Sequence, residues 1–112
     1  MKKLTLASAL LVLSCVPAFA ADPVRGRQVY EKVGCYQCHG WQGQGANTGP
    51  KLAPQPMAAD ALASFIRNSQ ETLMPAYSAD LVSDRDVADI HAYLASIKNP
   101  PAAKDIPLLM QR

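Results

Sequence analysis

The chain has 112 residues, with eleven Lys and Arg against nine Asp and Glu and a net charge of +2. Lys2 and Lys3 account for the excess, which leaves no basic stripe for nucleic acid and no long acidic tail. A chain of this length holds one small domain whose apolar core is marginal by itself.

The N-terminus reads as an export signal. Lys2 and Lys3 form its positive end, Leu4 to Val16 is an apolar run too short to span a bilayer, and Ala18-Phe19-Ala20 is a small-x-small cleavage site. Residues 1–20 are therefore expected to be a signal peptide, 21–99 one domain and 100–112 a proline-rich extended tail. Val12-Leu13-Ser14-Cys15 offers another processing site, at which a lipidated Cys15 would hold the protein to a membrane.

A first helix is predicted near Val24 to Val33, where Gly26, Val29, Tyr30 and Val33 fall on one face. Gly34 is a stop signal and leads into Cys35-Tyr36-Gln37-Cys38-His39. C-x-x-C-H is the attachment pattern of a c-type haem. Each thiol adds to one vinyl group of the macrocycle, two intervening residues set the spacing, and the adjacent histidine lies under the iron as proximal ligand. Two other chemistries use paired cysteines. A redox dithiol wants a strand before it and a helix after it, and a zinc site wants a second ligand pair.

From Gly40 to Pro56 the chain is rich in Gly and Pro and reads as loop. Within it, Gly49-Pro50-Lys51-Leu52 offers the Pro50 carbonyl as an anchor for the second ring nitrogen of His39, or else is a plain turn. A second helix is predicted near Ala58 to Ser69, with Leu62, Phe65 and Ile66 on one face. Thr72-Leu73-Met74-Pro75 follows. The proline pushes Met74 to extended geometry, which suits a thioether aimed at a sixth iron position; the plainer role is a core gap-filler. Met57 at a helix start, Met110 in the tail and His91 at the edge of a helical stripe are the other ligand candidates. Tyr77 would bond a propionate or cover the haem edge.

A third helix is predicted near Asp84 to Ile97, with Val87, Ile90, Leu94 and Ile97 as its apolar stripe. Ser83 and Asp86 form a capping box, and Asn99-Pro100-Pro101 ends the helix. No stretch alternates long enough for a strand, so the class is all-α. The prolines of the tail favour extended chain, and Ile106, Leu108, Leu109 and Met110 form an apolar cluster that is either frayed or a docking strap.

Taken together these motifs resemble a class I (monohaem) c-type cytochrome over nearly all of residues 21–99. Gly26 and Tyr30 match the N-terminal helix motif, and Cys35, Cys38 and His39 match the haem site. Gly49, Pro50 and Leu52 match the Gly-Pro-x-Leu loop, Met74-Pro75 the axial Met-Pro, and Tyr93-Leu94 the aromatic-Leu pair of the last helix. The resemblance implies a cytochrome c fold, with three main helices wrapped round one covalent haem c. First and last helices would cross at Gly26, locked by the aromatics. It implies His39 and Met74 as iron ligands, Cys35 and Cys38 as thioether donors, and Pro50, Leu52 and Tyr77 around the haem. The implied function is electron transfer in a bacterial periplasm, between a donor dehydrogenase and an acceptor cytochrome or oxidase. Ala53 departs from the glycine common after the loop leucine, the stretch from Leu52 to the second helix is short, and the lysine ring of mitochondrial relatives is absent. With the long tail, these features resemble small cytochrome subunits that serve periplasmic dehydrogenases or flavin-dependent hydroxylases. A tightly bound acceptor subunit is thus the alternative to a free carrier. A haem sensor or peroxidase would need an open sixth position, which Met74 would close.

Overall fold

Four α-helices carry the domain in the computed structural model, which describes residues 19–70 and 73–110. Cys15 and nearly all of the expected signal peptide lie outside the described residues.

Helix α1 spans Pro23–Lys32. Asp22 caps it by accepting from the Val24 and Arg25 amides at 2.9 and 3.2 Å, and Pro23 takes the first position, where a missing N–H costs nothing. Val33 closes it, and Gly34 follows at φ 86°, a left-handed turn open to glycine. The chain re-enters a short helix at once, α2, Cys35–His39. This turn carries the entire C-x-x-C-H motif, so both cysteines and the histidine sit on one rigid element. Helix α3 spans Ala59–Asn68 and α4 spans Asp84–Ser96. The expected capping box is present at α4: the Asp86 amide donates to Ser83 Oγ at 3.1 Å, and the Ser83 amide to Asp86 Oδ2 at 2.8 Å. Among the described residues there is no strand; Ala46 and Gly49 form one isolated bridge inside the loop.

The core is the crossing of α1 and α4. A Cβ on Gly26 would lie 1.8 Å from the Asp89 carbonyl oxygen, so only glycine allows the two backbones to approach this closely. Tyr30 and Tyr93 pack beside it at 5.6 Å between centroids with planes tilted 59°, a favourable edge-on arrangement. Both hydroxyls are satisfied by the loop: Tyr30 donates to the Gly40 carbonyl at 2.8 Å, Tyr93 to that of Trp41 at 2.7 Å. Val87, Ile90 and Leu94 of the predicted stripe are buried, and Ile97 is half-buried against them.

Ions hold the same crossing from its rim. Asp89 is buried, and it accepts from the Asp22 amide at 2.7 Å and from Arg25, whose other nitrogen reaches Asp86. Burial works to raise the Asp89 carboxyl, but the Asp22 N–H and Arg25 overcome it and hold it below the usual range. The Asp86 carboxyl is held low first by its bond from Ser83, then by Arg25.

The tail departs from the expected extended form. Ala103–Asp105 and Pro107–Leu109 are single 3-10 turns. Proline bars a helix interior but suits a first position, and Pro107 starts the second turn instead of preventing it. Leu108, Leu109 and Met110 remain exposed at 79, 60 and 65%. No helix among the described residues is long and apolar enough to cross a membrane.

Candidate functional site

One cavity of about 400 Å³ opens between α2, the loop, α3 and α4. Its wall is apolar and contains no Lys, Arg, Asp or Glu. Leu62, Phe65 and Ile66 of α3 form one side, and Val87, Ile90 and Leu94 of α4 form another. The cavity falls in the range of small-molecule and cofactor sites. Every site residue expected from sequence lines it: Cys35, Cys38, His39, Pro50, Leu52, Met74 and Tyr77.

His39 is buried, with Nδ1 2.8 Å from the Pro50 carbonyl oxygen. A carbonyl only accepts, so Nδ1 carries the proton and donates, which leaves Nε2 with a free lone pair. The loop is built to bring Pro50 there. The Gly45 amide donates to the His39 carbonyl at 2.8 Å, and the Leu52 and Ala53 amides converge on the Gly43 carbonyl at 2.7 and 3.0 Å. A Cβ on Gly49 would lie 2.6 Å from the Cys38 carbonyl oxygen and 3.0 Å from His39 Nδ1, so this glycine lets the loop lie against the ring.

Both cysteines are free and half-buried. Burial pushes the Cys35 thiol up to about 11. A redox dithiol needs the opposite shift, since the thiolate is its nucleophile. Among the described residues no strand precedes the pair either, and no three His, Cys, Asp or Glu side chains cluster as a metal site would need.

Met74 is half-buried, and its segment is tied to α3. Ser69 Oγ donates to the Met74 carbonyl at 3.1 Å, and the Tyr77 amide to that of Ile66 at 2.8 Å. Arg67 clamps the far end, donating to the Tyr77 carbonyl and to Asp84 Oδ1, each at 3.0 Å. Met57 also reaches the cavity, but it is 44% exposed. His91 and Met110 do not line it. The Tyr77 hydroxyl donates to the Val33 carbonyl at 3.3 Å, so its proton is already placed and its ring serves as wall.

Sequence reasoning missed Val82, Arg67 and Thr48. Val82 is fully buried and lines the cavity from a turn that no periodicity marks. Arg67 acts through the Tyr77 backbone carbonyl and the Asp84 carboxylate seventeen residues on, neither of which a local pattern reveals.

An uncharged apolar cavity with two thiols and a buried histidine on its wall fits a large, flat, apolar group. A helical shell round such a cavity, with C-x-x-C-H on its wall, defines a class I monohaem c-type cytochrome. The family model described as cytochrome c oxidase, cbb3-type, subunit III, matches residues 21–94, and the chain belongs to that family. No curated protein and no solved structure matches the chain. The cofactor is accordingly a covalently bound haem c, and the role is haem-based electron transfer with other redox proteins.

Proposed function

We propose that the chain is a periplasmic single-haem electron carrier with His39 and Met74 as the two axial ligands. The observation that carries this reading is the meeting of Cys35, Cys38, His39 and Met74 on the wall of one uncharged cavity. When bound, the haem supplies a one-electron ferric/ferrous couple. The protein's own residues do the rest. Cys35 and Cys38 fix the macrocycle edge by thioether bonds. His39, locked in its tautomer by Pro50, presents Nε2 to the metal. Met74 offers a soft thioether that favours the ferrous state and raises the potential. The apolar walls keep water out. Retaining both ligands in both states keeps reorganisation small. The small-x-small site at Ala18 to Ala20 supports export and residence in the periplasm.

Met74→Ala tests the ligand assignment. It should abolish the thioether-to-ferric charge-transfer band, lower the midpoint potential and admit cyanide rapidly, while Met57→Ala leaves all three unchanged. The reverse pattern would place Met57 on the iron.

The exposed apolar tail supports a second reading, that of a tightly bound subunit of a periplasmic dehydrogenase. Deleting residues 103–112 should leave the haem spectrum and potential nearly unchanged, and should weaken co-purification with a larger redox subunit. Undiminished co-purification would take the tail out of the contact, and the absence of any co-purifying redox subunit with the full chain would return the protein to the class of free carriers.

A further inference from the structure

Tyr36 and Trp41 stand outside the cavity and take no part in the ligation argued above. Their rings stack at 4.0 Å between centroids with planes 21° apart. Trp41 is nevertheless 56% exposed. Both are firmly mounted. Tyr36 lies inside the C-x-x-C-H turn, between the two cysteines, and the Trp41 carbonyl accepts from the buried Tyr93 at 2.7 Å. The pair is therefore a rigid aromatic step joined to the edge at which the thiols sit.

Charge close to this step is sparse, with the exposed Lys32 and Lys51 flanking the stretch that carries it. From Val33 to Pro50 the chain carries no Lys, Arg, Asp or Glu. The exposed neighbours are Gln37, Gln42, Gln44, Asn47 and Thr48. On α1, Arg27 bonds Glu31 at 2.8 Å, so that pair shows no net charge. A charged partner face would lose its hydration here and meet little counter-charge, since the step itself carries none. An uncharged face with an apolar centre and a neutral polar rim loses little and buries the indole. Exposed, well-fixed tryptophan is also the side chain most enriched among interface anchors.

We propose that the Tyr36–Trp41 step is the docking anchor of this cytochrome, and that it fits a redox protein whose docking face is apolar at its centre and uncharged. The inference rests on the electron-carrier reading and adds the surface through which that carrier meets its partner. Its signature is association that depends on Trp41 and hardly on salt.

The test uses the full mature holoprotein in its ferric form. The probe is a reduced blue-copper protein with an apolar, uncharged docking face; one electron passes from cuprous copper to ferric iron, with no bond made and no proton moved. Trp41→Ala should lower the second-order rate at least about tenfold, and Trp41→Phe should keep it within about threefold. The wild-type rate should change less than about twofold between low salt and 0.3 M. Midpoint potential, spectrum and reduction by ascorbate should be the same in all three proteins. An unchanged rate in Trp41→Ala, or a steep salt dependence, would overturn the proposal. So would an equal loss with ascorbate, which would make Trp41 a support of the haem. A Trp41-dependent dimer in sedimentation, or Trp41-dependent binding to phosphatidylcholine vesicles, would assign the step to a second copy or to a membrane and equally overturn it. Failure of ascorbate to reduce any of the proteins would instead strike the electron-carrier reading.

Discussion

His39 owes its usable tautomer to a backbone oxygen eleven residues away, and Gly49 lets that oxygen come close. With His39 as the proposed iron ligand, the bond from Nδ1–H would make the imidazole a stronger donor and so stabilise the ferric state. Gly49→Ala puts a methyl against the Cys38 carbonyl and the ring, and the loop must retreat. The expected result is a more positive midpoint potential, because the weakened bond leaves a poorer donor. A loss of about 1–3 kcal/mol in unfolding free energy should accompany it. Voltammetry and denaturant unfolding read the two effects, and an unchanged potential would show that Pro50 does not tune the ring. At this scale the sequence was legible where a motif names a side chain. C-x-x-C-H and Met-Pro point to atoms of known chemistry, and a Gly-Pro turn offers a free carbonyl. The Tyr77 hydroxyl stayed ambiguous because its partner is the Val33 carbonyl, one of many equivalent backbone oxygens.

The helices were legible through periodicity, since burial of one face leaves a trace every three or four residues. The predicted helix near 24–33 is Pro23–Lys32, and that near 84–97 is Asp84–Ser96. Their ionic clamp left no such trace. Arg25 lies more than sixty residues from Asp86 and Asp89, and nothing local marks the three as partners. The clamp makes stability depend on pH in one direction. Both carboxyls are held below their ordinary value in the folded protein. Their contribution is therefore fully present above the ordinary carboxylate pKa of about 4, and is lost as pH falls through the lower folded values. Asp89→Asn should cost about 1–3 kcal/mol at neutral pH, by weakening the bonds from Asp22 and Arg25. It should also flatten the acid limb of the stability curve. The two proteins differ only at residue 89, so the difference between the two curves isolates Asp89. Parallel acid limbs would contradict the assignment.

As a whole molecule the domain is built round an absence of its own side chains. The sequence shows this only indirectly, as a chain too short for a self-sufficient core joined to a motif that holds a large cofactor. The cavity of about 400 Å³ lies where a conventional small domain would have its centre. Voids cost about 24 cal/mol per Å³, so leaving this one empty costs on the order of 10 kcal/mol before collapse and wetting lower the figure. That is comparable with the entire stability of an ordinary domain, about 5–15 kcal/mol. The walls have no second layer to fall back on, because Leu62, Val82, Ile90 and Leu94 face the cavity and are also the core. Haem should then be a condition of folding as well as of electron transfer. Cys35→Ser with Cys38→Ser removes both thioether bonds and leaves every other contact in place. Made without haem, this variant should show little stable helix by circular dichroism and no cooperative thermal transition. The α1–α4 crossing has its own glycine contact, tyrosine pair and ion clamp, so it is the part with the best chance of surviving alone. A cooperative transition in the haem-free variant would show that this crossing suffices and that the cavity wall is secondary to it.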